Sequence, residues 1–239
     1  MKLNPAQLGK HLQAGLAPVY VVSGDEPLLC QEAEDAIRAA TRQQGFSERT
    51  VFHAEASFDW GLLYEAGASL SLFAEKRLIE LRIANGKPGD KGTAAILEYL
   101  ERPPQDTVLL ISLPKLDGST QKTKWAKALI DGPHSQFLQI WPIEVAQLPN
   151  WIRQRLSQAG LAASQEAVEL IAARVEGNLL AAAQEIEKLK LLAEGNQIDA
   201  SKVTAADIVG GVTSGGKETG CEVIRQRHCV IPMMMGEVV

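Results

Sequence analysis

The chain has 239 residues and a formal net charge of −5; 46% of its residues are hydrophobic and 22% are charged. This composition is that of an ordinary soluble protein with one large or two small domains, and the negative charge argues against a protein that holds nucleic acid by bulk charge. No apolar run approaches the ~20 residues that span a bilayer, and no signal-peptide core follows Met1. Three cysteines are too few for a disulfide framework, so we expect a cytoplasmic protein with no membrane partner.

Strand-like and helix-like patterns alternate over the first 143 residues. The predicted strands are short apolar or alternating segments at residues 19–22, 50–54, 77–83, 107–113 and 137–143. The predicted helices have apolar residues at helical spacing and cover residues 5–12, 27–43, 59–68, 93–100 and 120–130. Strands separated by helices of this length indicate βαβ crossovers, and therefore a parallel sheet between two layers of helices. The most apolar strand, "TVLLISL" at 107–113, should lie near the centre of that sheet.

The pattern changes after Pro142. From residue 148 to 209 only helical periods occur, in "LPNWIRQRLSQAG", "SQEAVELIAARVEG", "NLLAAAQEIEKLKLLAEG" and "DASKVTAADIV". The last thirty residues begin glycine-rich and show no period, so we expect a poorly ordered tail. The sequence therefore predicts an α/β domain at residues 1–143, a small helical domain at 144–209 and an atypical tail at 210–239.

The stretch "VVSGDEPLLCQEAEDAIRAA" has the order of a phosphate-binding loop: a strand, a glycine turn and the start of a helix. It contains a single glycine, Gly24, and no Gly-Lys-Ser/Thr follows. The strand at 107–113 ends in Pro114 and Lys115, with an acid only at Asp117, whereas an ATPase needs acidic residues there to hold Mg²⁺. We therefore expect an ordinary tight turn with no nucleotide or other cofactor.

Two further candidate sites lie in the tail. The stretch 211–218, "GVTSGGKE", approaches a P-loop and contains Lys217, but Glu218 replaces the Mg²⁺-binding hydroxyl and no strand precedes it. Cys221, His228 and Cys229 lack a fourth zinc ligand at a customary spacing. No set of Ser, His and Asp residues indicates a nucleophile, so we expect neither a metal site nor catalytic activity.

The segment "SLSLF" is unusual because it places Leu70, Leu72 and Phe73 between a predicted helix and a predicted strand, where connections are normally polar. An exposed Leu-Phe pair on a loop requires a partner to cover it. On composition alone, the alternative that these side chains fold back into the core is favoured.

The same five residues, 69–73, are similar to the short motif, commonly Q-L-S/D-L-F, by which bacterial replication proteins bind the sliding clamp. Four positions match, and Ser69 stands where glutamine is usual. The surrounding order resembles the delta subunit of the bacterial DNA polymerase III clamp loader. It comprises "GDEPLL" and "QEAEDAIR", the Ser-Leu-Phe loop, an alternating strand, "AQLPNWIRQRL" and "EGNLLAAAQEIEKLKLL". The resemblance covers about residues 1–209.

The resemblance implies a degenerate AAA+ module, in which a RecA-like parallel three-layer α/β domain precedes a helical lid. It also implies a mechanical role in DNA replication: binding the sliding clamp and helping to open the ring, without ATPase activity. The residues that would bind the clamp are Ser69, Leu70, Ser71, Leu72 and Phe73. The other implied partners are the remaining clamp-loader subunits and, through the complex, primed DNA. The chain would be a non-catalytic component of a DNA-directed DNA polymerase (nucleotidyltransferase) holoenzyme.

One departure concerns the tail, because the family's third helical domain, which forms the collar of the loader, should begin soon after residue 209. Residues 210–239 match none of it, so we expect either foreign sequence or a change of reading frame near Gly210. This departure puts assembly with the other loader subunits in doubt, but it does not affect the expectation of clamp binding. Two alternatives remain: an ATP-binding P-loop protein that uses Lys217, and an AAA+-like adaptor whose Leu-Phe pair belongs to its core.

Overall fold

The computed structural model describes residues 1–68, 76–193 and 195–204. Within these residues, a large sheet has six parallel strands in the spatial order β1-β6-β2-β5-β4-β3. The strands are β1 (Lys2–Leu3), β2 (Val19–Gly24), β3 (Phe46–His53), β4 (Lys76–Arg82), β5 (Thr107–Leu113) and β6 (Ser135–Ile140). As predicted, β5 is an inner strand, hydrogen-bonded on one side to β2 and on the other to β4.

Helices cover both faces of this sheet and complete a three-layer arrangement. In the α/β part they are α1 (Leu8–Ala14), α2 (Pro27–Gln43), α3 (Gly61–Ala68), α4 (Gly89–Glu101) and α5 (Lys124–Asp131). Buried side chains of α1 and α2 form one apolar cluster with the sheet, and those of α3, α4 and α5 form another on the opposite face. The predicted parallel α/β fold is confirmed.

The position of β5 follows from its side chains, because both faces of the strand are apolar. Leu109, Ile111 and Leu113 face the cluster that contains α4 and α5. Val108 and Leu110 face the opposite cluster, which contains α1 and α2. A strand that buries both faces fits only the interior of a parallel sheet, and each fully buried side chain contributes about 1.5–3 kcal/mol.

Two strand boundaries differ from those that the sequence predicts. β3 starts at Phe46, earlier than expected, since it is an edge strand whose first half alternates exposed polar residues, Ser47 and Arg49, with partly buried ones. β6 ends at Ile140, before the expected end at residue 143. The reason is Pro142, which has no N–H to continue the ladder of hydrogen bonds.

The C-terminal helices are α6 (Leu148–Gln158), α7 (Gln165–Val175) and α8 (Leu179–Leu192), which pack around their own apolar cluster. The Ser164 and Asn178 side chains cap α7 and α8 by accepting hydrogen bonds from the amides of Ala167 and Ala181. Among the described residues, no helix is both long and apolar enough to cross a membrane.

The C-terminal part is not purely helical, contrary to expectation. Two short strands, β7 (Ala162–Ala163) and β8 (Gln197–Ile198), pair in parallel and join the turn before α7 to the segment after α8. Each strand has only two residues, too few to produce a recognisable sequence period. The division of the chain at residue 143 stays a prediction, and the tail at 210–239 lies outside the described residues.

Candidate functional site

The carboxyl edge of the large sheet is where an α/β protein of this topology would bind a nucleotide. There β2 leads through a turn into α2, and β2 lies between β6 and β5. The sequence singles out this turn because Gly24 precedes the start of a helix, as in phosphate-binding loops.

Gly24 is required by packing. A Cβ atom at this position would lie 2.5 Å from the carbonyl oxygen of Ile140 and 2.7 Å from its Cβ. The close approach of β6 therefore explains the glycine without a bound phosphate.

Hydrogen bonds tie the turn to the loop that follows β5. The Ser23 hydroxyl donates to the carbonyl oxygen of Pro114 at 2.8 Å, and the Asp25 carboxylate accepts from the amide of Lys115 at 3.0 Å. Asp25 and Glu26 also place two carboxylates directly before the first turn of α2. Such charges repel an anion at the helix end that would otherwise attract one.

A cavity of about 510 Å³ adjoins the turn, and its polar lining residues include Glu34, Arg38, Arg82 and Ser112. The Glu34 carboxylate accepts hydrogen bonds from the Ser112 hydroxyl at 2.7 Å and from Arg38 Nη2 at 2.7 Å. Glu34 therefore accepts the hydrogen bonds of the Ser112 hydroxyl and of one Arg38 nitrogen. These are donors that a bound phosphate would otherwise use.

Glu80 of β4 is fully buried and accepts hydrogen bonds from three arginines, the longest of them from Arg82 Nη2 at 3.5 Å. Arg38 Nε lies 2.8 Å from its carboxylate and Arg49 Nε lies 2.6 Å from it. Burial raises the pKa of Glu80, but the hydrogen bonds from Arg49 and Arg38 outweigh burial and hold the pKa at about 2. This cluster cross-links α2, β3 and β4. The sequence analysis missed it, although a single acid within the apolar alternation "RLIELRI" was a signal for it.

The strand ends next to the turn present no acid for Mg²⁺ within the described residues. β4 ends at Arg82, and β5 is followed by Pro114 and Lys115. The Asp117 carboxylate accepts hydrogen bonds from the Ser119 hydroxyl and the Thr120 amide, which lower its pKa to about 2. The part of the chain that the structure describes contains no group of three His, Cys, Asp or Glu residues that could hold a metal ion.

The predicted clamp-binding segment, 69–73, lies outside the described residues, but both of its flanks are described. The tail candidates also lie outside the described residues, which end at residue 204: they are Lys217, Cys221, His228 and Cys229. The segment connects the end of α3 to the start of β4. Because the sheet is parallel, the first residue of β4, Lys76, lies at the amino edge, opposite the Gly24 turn.

The first turn of α3 and the first residue of β4 both contact other parts of the α/β domain. Leu63 of α3 is fully buried, and Trp60 packs so closely on Gly92 that a Cβ there would lie 2.3 Å from the indole. On the other side, Lys76 Nζ lies 5.3 Å from the centre of the Phe46 ring and donates to the carbonyl oxygen of Gln44 at 3.4 Å. Seven residues, 69–75, therefore join two anchored elements.

Sequence comparison identifies relatives over most of the chain. Residues 20–132 match the family described as DNA polymerase III, delta subunit. The DNA polymerase III subunit delta of Escherichia coli is 31% identical over 206 residues, which are 86% of this chain and 60% of the relative. That of Haemophilus influenzae is 30% identical over 205 residues, which are 84% of this chain and 59% of the relative. The chain thus spans about three fifths of the length of these curated relatives.

Structural comparison supports the same fold. The Bacillus subtilis DNA clamp loader delta protein superposes with a TM-score of 0.63 at 22% identity, covering 84% of this chain and 61% of that chain. The Thermotoga maritima RuvB Holliday junction branch migration motor superposes with a TM-score of 0.51 at 14% identity, over 85% of this chain and 68% of that chain. The α/β domain is therefore AAA+-like, with helices following it. Residues 20–132 therefore match the DNA polymerase III delta-subunit family, and the chain is similar to delta subunits over 84–86% of its length.

Proposed function

We propose that this chain acts as the delta subunit of a clamp loader and binds the sliding clamp through residues 69–73. The observation that carries the proposal is the family match over residues 20–132, which spans this segment and both of its flanking elements. The Bacillus subtilis relative is itself a DNA clamp loader delta protein. In this role, the chain binds one face of the ring-shaped clamp and helps to open it for loading onto primed DNA during replication.

Leu72 and Phe73 are the proposed anchors, and Ser69, Leu70 and Ser71 shape the backbone that presents them. Two apolar side chains that enter a dry pocket on the clamp contribute about 1.5–3 kcal/mol each. An aromatic residue at the centre of a small contact is typical of an interaction hot spot. The packing of the first turn of α3 and the contacts of Lys76 support this proposal, since they fix elements on either side of the segment before it binds.

The role requires no chemistry from this chain. Three observations support a carboxyl edge that binds no nucleotide. Packing against β6 explains Gly24, two acids precede α2, and the Ser112 hydroxyl already donates to Glu34. We therefore propose a non-catalytic, cytoplasmic component of the DNA polymerase III holoenzyme. Its partners are the clamp and the other loader subunits, and its domains are the α/β domain at 1–143 and the helical domain at 144–209.

Equilibrium binding of the full chain to a bacterial sliding clamp tests the proposal. We expect the wild type to bind and the Leu72→Ala/Phe73→Ala variant to lose binding. Absence of clamp binding by the wild-type chain would contradict the proposal. ATP binding that is abolished by Lys217→Ala would instead support a nucleotide-binding protein.

A further inference from the structure

The first turns of α2 are shared between the two parts of the molecule. Leu28 and Leu29 of α2 pack against the apolar cluster of the C-terminal helices, and Leu29 also contacts the cluster between α1, α2 and the sheet. One turn further along α2, Glu32 faces Arg155 of α6. The contact between the two parts therefore combines apolar packing with an ion pair, at the same edge of the sheet as the Gly24 turn.

The ion pair is bidentate. Arg155 Nη1 donates to Glu32 Oε1 at 2.5 Å, and Nη2 donates to Glu32 Oε2. Two parallel hydrogen bonds between a planar guanidinium and a carboxylate fix direction as well as distance. The side chains keep 26% and 38% of their exposure, so neither charge carries the desolvation penalty of a deeply buried pair.

Trp151 limits the freedom of the arginine. The centre of the Arg155 guanidinium lies 4.7 Å from the centre of the Trp151 ring, one turn earlier on α6. Trp151 itself packs against the apolar cluster of the C-terminal helices. The guanidinium is thus held by its own helix before it meets Glu32, which reduces the entropy lost in forming the pair.

We propose that the Glu32–Arg155 pair, preorganised by Trp151, fixes the orientation of helices α6–α8 relative to the α/β part. This orientation is then set by a side-chain contact of the protein itself and does not depend on a bound nucleotide. Arg155 is a positioning residue in this sense. The inference does not depend on clamp binding, and it concerns residues at the carboxyl edge of the sheet, opposite the amino end of β4.

A distance measurement between spin labels tests the proposal in the full chain. Labels on Lys127→Cys in α5 and Gln184→Cys in α8 report on the two parts, since both positions are exposed. The three natural cysteines are replaced by serine in every variant. We expect a single narrow distance distribution in the reference protein, and we expect addition of Mg²⁺ and ATP to leave it unchanged.

Glu32→Gln and Arg155→Leu should broaden that distribution at least about twofold, because the helices then sample several orientations. The exchange variant Glu32→Arg/Arg155→Glu should recover most of the narrow distribution, since the ion pair re-forms although the stacking on Trp151 does not. The matched control is Arg153→Leu on the same helix, whose guanidinium contacts Gln165 within the C-terminal helices. It should keep the narrow distribution.

Glu32→Gln preserves size and shape, so it carries the test even where Arg155→Leu does not fold. An unchanged distribution in Glu32→Gln would overturn the proposal. Failure of the exchange variant to narrow the distribution relative to Arg155→Leu would overturn it as well, as would a shift of the wild-type distance on addition of Mg²⁺ and ATP.

Discussion

Arg38 of α2 donates two hydrogen bonds to the carboxylate of Glu80 on β4, at 2.8 Å from Nε and 3.1 Å from Nη2. Glu80 has no exposed surface, so this contact ties the helix next to the Gly24 turn to an inner strand of the sheet. Arg49 on β3 completes the arrangement from the other side. A carboxylate with these surroundings is charged in the folded protein, and its removal takes a charged partner from Arg38, Arg49 and Arg82.

We expect Glu80→Gln to lower the free energy of unfolding by about 3 kcal/mol at neutral pH, because a neutral amide cannot replace the charged hydrogen bonds of a buried ion pair. The pKa of Glu80 is lowered from 4.5 to about 2 in the folded protein. Its contribution is therefore fully present above the unfolded value and is lost as the pH falls from 4.5 towards 2. Chemical denaturation across this range measures the effect. A difference between wild type and variant that does not shrink on acidification would contradict this assignment.

Gly24→Ala should destabilise the protein by about 1–3 kcal/mol, because the added methyl group overlaps the backbone of Ile140. The matched control is Gly9→Ala in α1, where no atom lies within 4 Å of the added Cβ. That change should be neutral or stabilising by up to about 1 kcal/mol, as alanine is the better helix former. Thermal unfolding of both variants checks the pair. Equal stability of the two would show that β6 does not restrict the turn.

The Leu72→Ala/Phe73→Ala variant separates a partner surface from a core. If the two side chains bind the clamp, the free energy of unfolding should change by no more than ~1 kcal/mol. Clamp affinity should then fall more than about a hundredfold, by ~3 kcal/mol. Core residues would instead lower stability by ~4 kcal/mol or more through cavity formation. The control is Leu180→Ala, an exposed leucine on α8, which should change neither quantity. A destabilised variant that still binds normally when folded would end the proposal.

Cys30 should react slowly with thiol reagents. Burial first, and then the neighbouring carboxylates with Glu34 foremost, raise the pKa of its thiol to about 11. At pH 8 only about 0.1% of the thiol is then ionised, and the thiolate is the reactive form. Glu34→Gln should increase the rate of alkylation by lowering the pKa. Mass spectrometry of the peptide that contains Cys30 follows the reaction, and reaction as fast as that of a free thiol at pH 8 would contradict the assignment.

The regular elements were predictable where a period extends over many residues. For α2, the helical period and Pro27 at its first position predict both of its ends, and for β5 the continuous apolar run predicts an inner strand. The beginning of β3 was not predictable, because an edge strand exposes polar residues that resemble a loop. β7 and β8 were not predictable either, because strands of two residues have no sequence period and form only through contact between distant parts of the chain.

The chemistry of the carboxyl edge was predictable only in part. The missing lysine and acids could be read from the sequence, whereas the reason for Gly24 could not, because Ile140 is far away in the chain. The contacts of Glu80 and the Glu32–Arg155 pair join residues from distant elements, the latter separated by 123 positions. Sequence periods carry information about local structure, and these contacts depend on the assembled fold.

The amino end of β4 and the contact between α2 and α6 lie at opposite edges of the large sheet. β4 separates these edges by seven residues, or roughly 20 Å at the rise of an extended strand. A macromolecule docked at the amino edge therefore leaves the carboxyl edge free for a second one. Two partners bound at these two edges would not compete for the same surface of the protein.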